Sequence, residues 1–214
     1  MNILVVGANG RTGRHILPLL RTAGYAPRAM VRNYDQRKEL EALGAEVVLG
    51  DLEKPLSRAV GKSCTCIFAA GSGSKTGPEK TIDVDLHGAI SLIETCESQN
   101  VRRFIMLSSM NTDDPESGPQ NLQHYLSAKK GADDRLRLSH MDWTIVRPGY
   151  LTDKPSRELL EVAPNLGKLN KAGTISREDV AKVIVSCLAH DNTISKTFDI
   201  FDGKIPINEA LDSI

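Results

Sequence analysis

The chain has 214 residues, enough to bury a substantial core without disulfides or a metal. Its 27 Lys and Arg are matched by 27 Asp and Glu, so the formal charge is zero and nothing supports broad binding of nucleic acid or an anionic membrane. No apolar run approaches the ~18 residues of a membrane span. Met1 and Asn2 lead straight into a strand-like run with no basic head or cleavage site, so no signal peptide and a cytoplasmic location are expected.

Short apolar runs alternate with helix-like segments. NILVVG (2–7) reads as a strand, and GRHILPLLRTAG (13–24) as a helix ending at Gly24 that Pro18 should kink or shorten. APRAMVR (26–32) is a second strand. DQRKELEALG (35–44) is a helix with Asp35 as N-cap and Gly44 as terminator. AEVVLGD (45–51) and TCIFAAG (65–71) are further strands. KTIDVDLHGAISLIETCESQN (80–100) carries Ile82, Leu86, Ile90 and Ile93 at helical spacing. RFIMLSS (103–109) is a strand, HYLSAKKGADDRLRLS (124–139) a helix and DWTIVRPG (142–149) a strand. In the tail, SREDVAKVIVSCLAH (176–190) reads as a helix with Ser176 and Asp179 in a capping-box pattern, and KTFDIFDG (196–203) as a late strand.

This rhythm predicts an α/β protein: a Rossmann-type, doubly wound parallel sheet with helices on both faces. The strands are nearly all apolar, as strands covered on both faces must be. A single domain over 1–214 is expected, with 151–214 packed beside the sheet as a small substrate-side portion. The four cysteines and five histidines show no metal-ligand spacing. The cysteines read as buried thiols of a reducing compartment, and no metal is expected.

GANGRTG (7–13) places three glycines between the first strand and first helix. Gly7 turns the chain out of the strand. Gly10 removes a side chain where a pyrophosphate would press, and Gly13 allows close approach of the helix. The helix N-terminus, with Asn9, Arg11 and Thr12 around it, presents free N–H groups to phosphate. The pattern therefore predicts a dinucleotide site. The second strand ends in Arg32, where an NAD site usually carries an acid. A guanidinium suits a 2′-phosphate, and Arg11 is a second candidate for it, so NADP (NADPH) is expected. Asp51 and Leu52 are placed for the adenine, and Ala69, Ala70 and Gly71 give the small surface across which a dinucleotide passes. KTGPEK (75–80) is a candidate flap, with Lys80 within reach of phosphate or substrate.

Together GANGRTG, MVR, GDL, AAGSG, DVDLHGAISLIE, RFIMLSS, YLSAK, WTIVRPG and ISREDVA resemble the short-chain dehydrogenase/reductase superfamily. The likeness is to its atypical members, the small bacterial NAD(P)-binding, epimerase/dehydratase-like group. The resemblance implies an active site of Ser109 (or Ser108), Tyr125 and Lys129. The superfamily's Asn position falls on Asp85, a departure that disturbs the usual proton relay. It also implies that Pro148, in RPGYL (147–151), lies near the nicotinamide. Tyr125 and Lys129 are four apart and share a helix face. The ammonium is expected to depress the phenol's pKa for proton exchange with a substrate carbonyl or alcohol, while holding the nicotinamide ribose. Tyr-x-x-x-Lys also occurs at Tyr34/Lys38 and Tyr150/Lys154, and position alone favours the middle pair.

The expectation is an NADP-dependent oxidoreductase acting on a small-molecule carbonyl or alcohol, as a monomer or homodimer. The alternatives are an epimerase or dehydratase-like enzyme with retained cofactor, against which the short tail argues, and a non-catalytic NADP(H)-binding sensor.

Overall fold

The computed structural model describes residues 1–73, 76–166 and 173–214. In chain order the strands are β1 (Asn2–Val6), β2 (Ala26–Val31), β3 (Glu46–Leu49), β4 (Thr65–Phe68), β5 (Arg103–Leu107), β6 (Asp142–Pro148), β7 (Tyr150–Thr152), β8 (Leu159–Ala163), β9 (Thr174–Ser176), β10 (Lys196–Asp202) and β11 (Ile205–Pro206). The helices are α1 (Arg11–Thr22), α2 (Arg37–Ala42), α3 (Ser57–Val60), α4 (Pro78–Thr81), α5 (Ala89–Ser98), α6 (Gln123–Arg137), α7 (Arg177–Ser186) and α8 (Ile207–Asp212).

A nine-stranded sheet runs β11-β8-β10-β6-β5-β4-β1-β2-β3. From β3 to β10 all neighbours are parallel. The fold is thus the expected Rossmann-type α/β sheet. The tail adds three strands to the same sheet, and two of them depart from the parallel expectation: β8 is antiparallel to β10, and β11 to β8. β7 and β9 pair separately as a short parallel ribbon.

Alternation along β1 shows how the layers form. Ile3 and Val5 pack with Ile16, Leu17 and Leu20 of α1 and Val180 and Ile184 of α7. Leu4 and Val6 face the other way, toward Leu92 and Ile93 of α5 and Leu136 of α6. All are buried. This balance also explains α1, which continues through Pro18 to Thr22 rather than being cut short by it. A mid-helix proline costs about 3 kcal/mol, but Ile16, Leu17 and Leu20 each return about 1.5–3 kcal/mol on burial, and Pro18 itself is exposed.

Two local expectations change. The cap near residue 35 is Asn33, whose side chain accepts from the Asp35 amide at 3.1 Å, followed by a 3-10 turn at Tyr34–Gln36. The long helix after β4 begins at Pro78 and is interrupted by a π-helical turn over Ile82–Gly88 between α4 and α5. Because β1 is flanked by β2 on one side and β4 on the other, the carboxyl ends of β1 and β4 part at a switch point, where open α/β sheets place their ligands.

Candidate active site

A cavity of about 670 Å³ opens at these strand ends. Gly7, Asn9 and Gly10 line it from the loop after β1, and Arg32 from the end of β2. Asp51 and Leu52 contribute from the loop after β3. Ala69, Ala70 and Gly71 contribute from the end of β4. With Lys80, which also lines it, the structure brings ten of the residues singled out in the sequence to one cavity. Asn33, Gln36 and Ser72 also line it and were not singled out.

The glycine loop is required by its geometry. Gly7 has φ +84°, and a Cβ there would lie 2.5 Å from the Ala69 and Ala70 backbone, so it serves both the turn and the meeting of β1 with β4. A Cβ on Gly13 would fall 2.2 Å from the Gly7 carbonyl. Gly13 therefore closes the helix onto its own loop rather than onto the sheet. The α1 N-terminus has no side-chain cap and no acid in its first turn, which leaves its amides and dipole to an anion. Cavity, uncapped amides and missing side chains fit a dinucleotide.

Asn9 accepts two hydrogen bonds from Arg14, at 3.0 and 2.6 Å, and Arg14 also pairs with Glu39. Thr12 is buried in the first turn of α1. Arg32 is exposed at the end of β2. Lys80 bonds Glu53 at 2.5 Å, and both line the cavity. Arg11, the second candidate for the 2′-phosphate, extends instead to Asp153 at 3.0 Å, an aspartate that also binds Arg177 of α7. Pro148 is buried at the end of β6, and its carbonyl accepts from the Met110 amide. Of the candidate flap, Lys75 lies outside the described residues.

The Tyr-Lys pair lies on α6. Among the three Tyr-x-x-x-Lys pairs, Lys129 is buried, whereas Lys38 and Lys154 are exposed. The Lys129 ammonium donates to the Leu107 carbonyl at 2.9 Å and sits 5.1 Å from the Phe68 ring centre. Burial lowers its pKa, opposed by Asp85 and Asp133. Tyr125 does not show the expected depression. Burial, then the negative charges of Asp85 and Asp133, hold the phenol well above its ordinary value, with Ser109 pulling weakly the other way. Ser109 thus faces Tyr125, while Ser108 is buried and donates to Asp133 at 2.6 Å.

Asp133 was missed in the sequence, although its spacing of four from Lys129 was a signal. It is fully buried, also accepts from Thr112 at 3.2 Å, and its carboxyl is pushed up by burial. It clamps both ends of the segment that carries Ser109. Beneath it Arg147 is buried between Asp113 and Asp199, at 2.6 and 2.8 Å, and donates to the Pro164 carbonyl. Asp85 is buried in the π-helical turn and accepts from the Ser72 amide at 2.9 Å. It links the cavity wall to the Tyr-Lys pair. Among the described residues no cluster of His, Cys, Asp or Glu could hold a metal, and no helix is long and apolar enough to cross a membrane.

An open parallel sheet with a glycine-rich turn at its switch point defines a nucleotide-binding α/β protein. The chain belongs to the NAD(P)H-binding family, which it matches over residues 7–191. It is 40% identical to the uncharacterized sugar epimerase YhfK of Bacillus subtilis (strain 168), over 99% of each chain. Among solved structures, it is 44% identical to a Bacillus halodurans protein named for the NAD-dependent epimerases/dehydratases, with a TM-score of 0.97 over 100% of both chains. The oxidoreductase ylbE of Lactococcus lactis is 29% identical, with a TM-score of 0.87 over 100% of this chain and 96% of its own. These relatives agree with the resemblance to the atypical short-chain dehydrogenase/reductases.

Proposed function

We propose that the protein is an NADP(H)-dependent reductase of small carbonyl compounds. The observation that carries this reading is the single cavity shared by the glycine loop, Arg32 and the Ala69–Ser72 segment. The loop and the α1 amides would hold the pyrophosphate, Arg32 the 2′-phosphate, and Asp51 with Leu52 the adenine. Lys129 would hold the nicotinamide ribose. The bound cofactor supplies or accepts a hydride.

The remaining chemistry belongs to the side chains of the chain itself. Ser109 orients the substrate oxygen and Tyr125 exchanges the proton. A phenol held above its ordinary pKa stays protonated at neutral pH. In that form it can give its proton to a carbonyl oxygen as hydride arrives. Residues 151–214, which complete the sheet edge beyond β6, would supply the substrate side. The free thiols fit the cytoplasm. The names of the Bacillus relatives favour a second reading, an epimerase that keeps its cofactor.

The test is a screen of small aldehydes and ketones, following NADPH oxidation. Tyr125→Phe is expected to abolish turnover, by about 100-fold or more, while leaving NADPH affinity within about twofold, since the lost hydroxyl is assigned to the substrate. Unchanged turnover in that variant removes Tyr125 from the mechanism. A nicotinamide that co-purifies and never exchanges would favour the epimerase.

A further inference from the structure

Asp85 stands where the superfamily's Asn was expected, and its charge acts on Tyr125 although it is given no proton to exchange. Its side chain is wholly buried, in the π-helical turn. Oδ2 accepts from the Ser72 amide at 2.9 Å. Oδ1 has no hydrogen-bond partner among the described residues. A Cβ built on Gly71 would lie 3.2 Å from that oxygen, so it faces the small-residue segment that walls the cavity. On the other side the charge of Asp85 acts on both Tyr125 and Lys129. A half-satisfied carboxylate therefore stands between the cavity wall and the Tyr-Lys pair. A buried charge is costly to hold without a partner. An Asn would have met the Ser72 amide equally well without that cost.

A nicotinamide ring carries a positive charge when oxidised and none when reduced. A fixed negative charge beside it discriminates between the two states. We propose that Asp85 makes the site select the oxidised over the reduced nicotinamide dinucleotide. The inference rests on the dinucleotide reading above and assigns Asp85 a role in specificity. Lys129 opposes the effect, and Asp133 adds to it where it is ionised. Of the two acids that act on the Tyr-Lys pair, Asp85 is the one whose oxygen adjoins the cavity wall.

The experiment is calorimetric titration of the wild type and of Asp85→Asn with both redox forms of whichever dinucleotide binds. The wild type is expected to bind the oxidised form more tightly than the reduced form. Asp85→Asn should lower that preference by about tenfold, well within what a unit charge exerts on another a few ångströms away inside a protein. Tenfold corresponds to about 30 mV in the bound two-electron couple, which makes the reduced cofactor a stronger hydride donor on the wild type. A parallel weakening of both forms in the variant overturns the proposal and leaves Asp85 a structural role.

Should Asp85→Asn fail to fold, the wild-type preference is measured at about 0.05 and 0.5 M salt. A buried charge is screened little, so the preference should persist. A preference for the reduced form, or one that vanishes with salt, overturns the proposal. If the folded wild type binds neither form, the dinucleotide reading fails and carries this proposal down with it.

Discussion

Arg32 follows β2, exposed at the cavity it helps to line, and the proposed choice of NADP(H) rests on it. A charge-assisted hydrogen bond is worth about 1.5–3 kcal/mol. Arg32→Ala should therefore weaken NADPH binding by at least about tenfold and leave NADH within about twofold, as read by calorimetry; equal losses would sink the assignment. Arg32 was legible because the strand end is a fixed address in this sheet. Arg11 was not, because its neighbours in sequence say nothing of Asp153, 142 residues away, which it meets in the folded chain. Tyr125 and Lys129 were legible by spacing, but their protonation was not. The two acids that hold the phenol up come from the π-helical turn and from a later turn of α6.

At the scale of elements, α7 shows a cap put to two uses. Ser176 accepts from the Asp179 amide at 2.9 Å, as its capping pattern suggested. The Asp179 carboxylate turns outward to the preceding loop. It accepts from the Ser156 hydroxyl at 2.5 Å, from the Arg157 and Glu158 amides at 3.0 Å, and from the Ser176 hydroxyl at 2.8 Å. Burial pushes this carboxyl up, but the hydrogen bonds prevail and hold its pKa below the ordinary value. The stabilisation it gives is thus fully present above the unfolded-state value of about 4 and is lost as pH falls through the lower folded value. Asp179→Asn should cost about 1–3 kcal/mol at pH 7 in urea unfolding, with the gap to wild type closing as pH drops below about 4. A gap independent of pH would contradict this account.

The helix over 80–100 was legible from its apolar spacing, but the π turn within it was not. Its apolar residues, Ile82 and Leu86 before it ends and Ile90 and Ile93 after, satisfy an ordinary helical period. Within the turn, a Cβ on Gly88 would lie 2.8 Å from that of Leu52, a contact with a distant loop.

Across the whole molecule, the parallel strands announced themselves because both faces are covered. In β4 and β5 nearly every residue is apolar and buried. The antiparallel edge did not. β8 is mostly half-buried and β11 has two residues, so neither carries a run long enough to read. The order of the strands was not read from the sequence, although the glycine turn marks the strand that folding places at the switch point. That point is where the central proposal lies: the cavity at the ends of β1 and β4 would hold a dinucleotide, and Arg32 would make it NADP(H). The most direct measurement is a calorimetric titration of nucleotide-free protein with NADPH and NADH. The account predicts saturable NADPH binding, with NADH at least about tenfold weaker for want of the 2′-phosphate. Equal affinity would contradict the role of Arg32, and no binding of either would contradict the site itself.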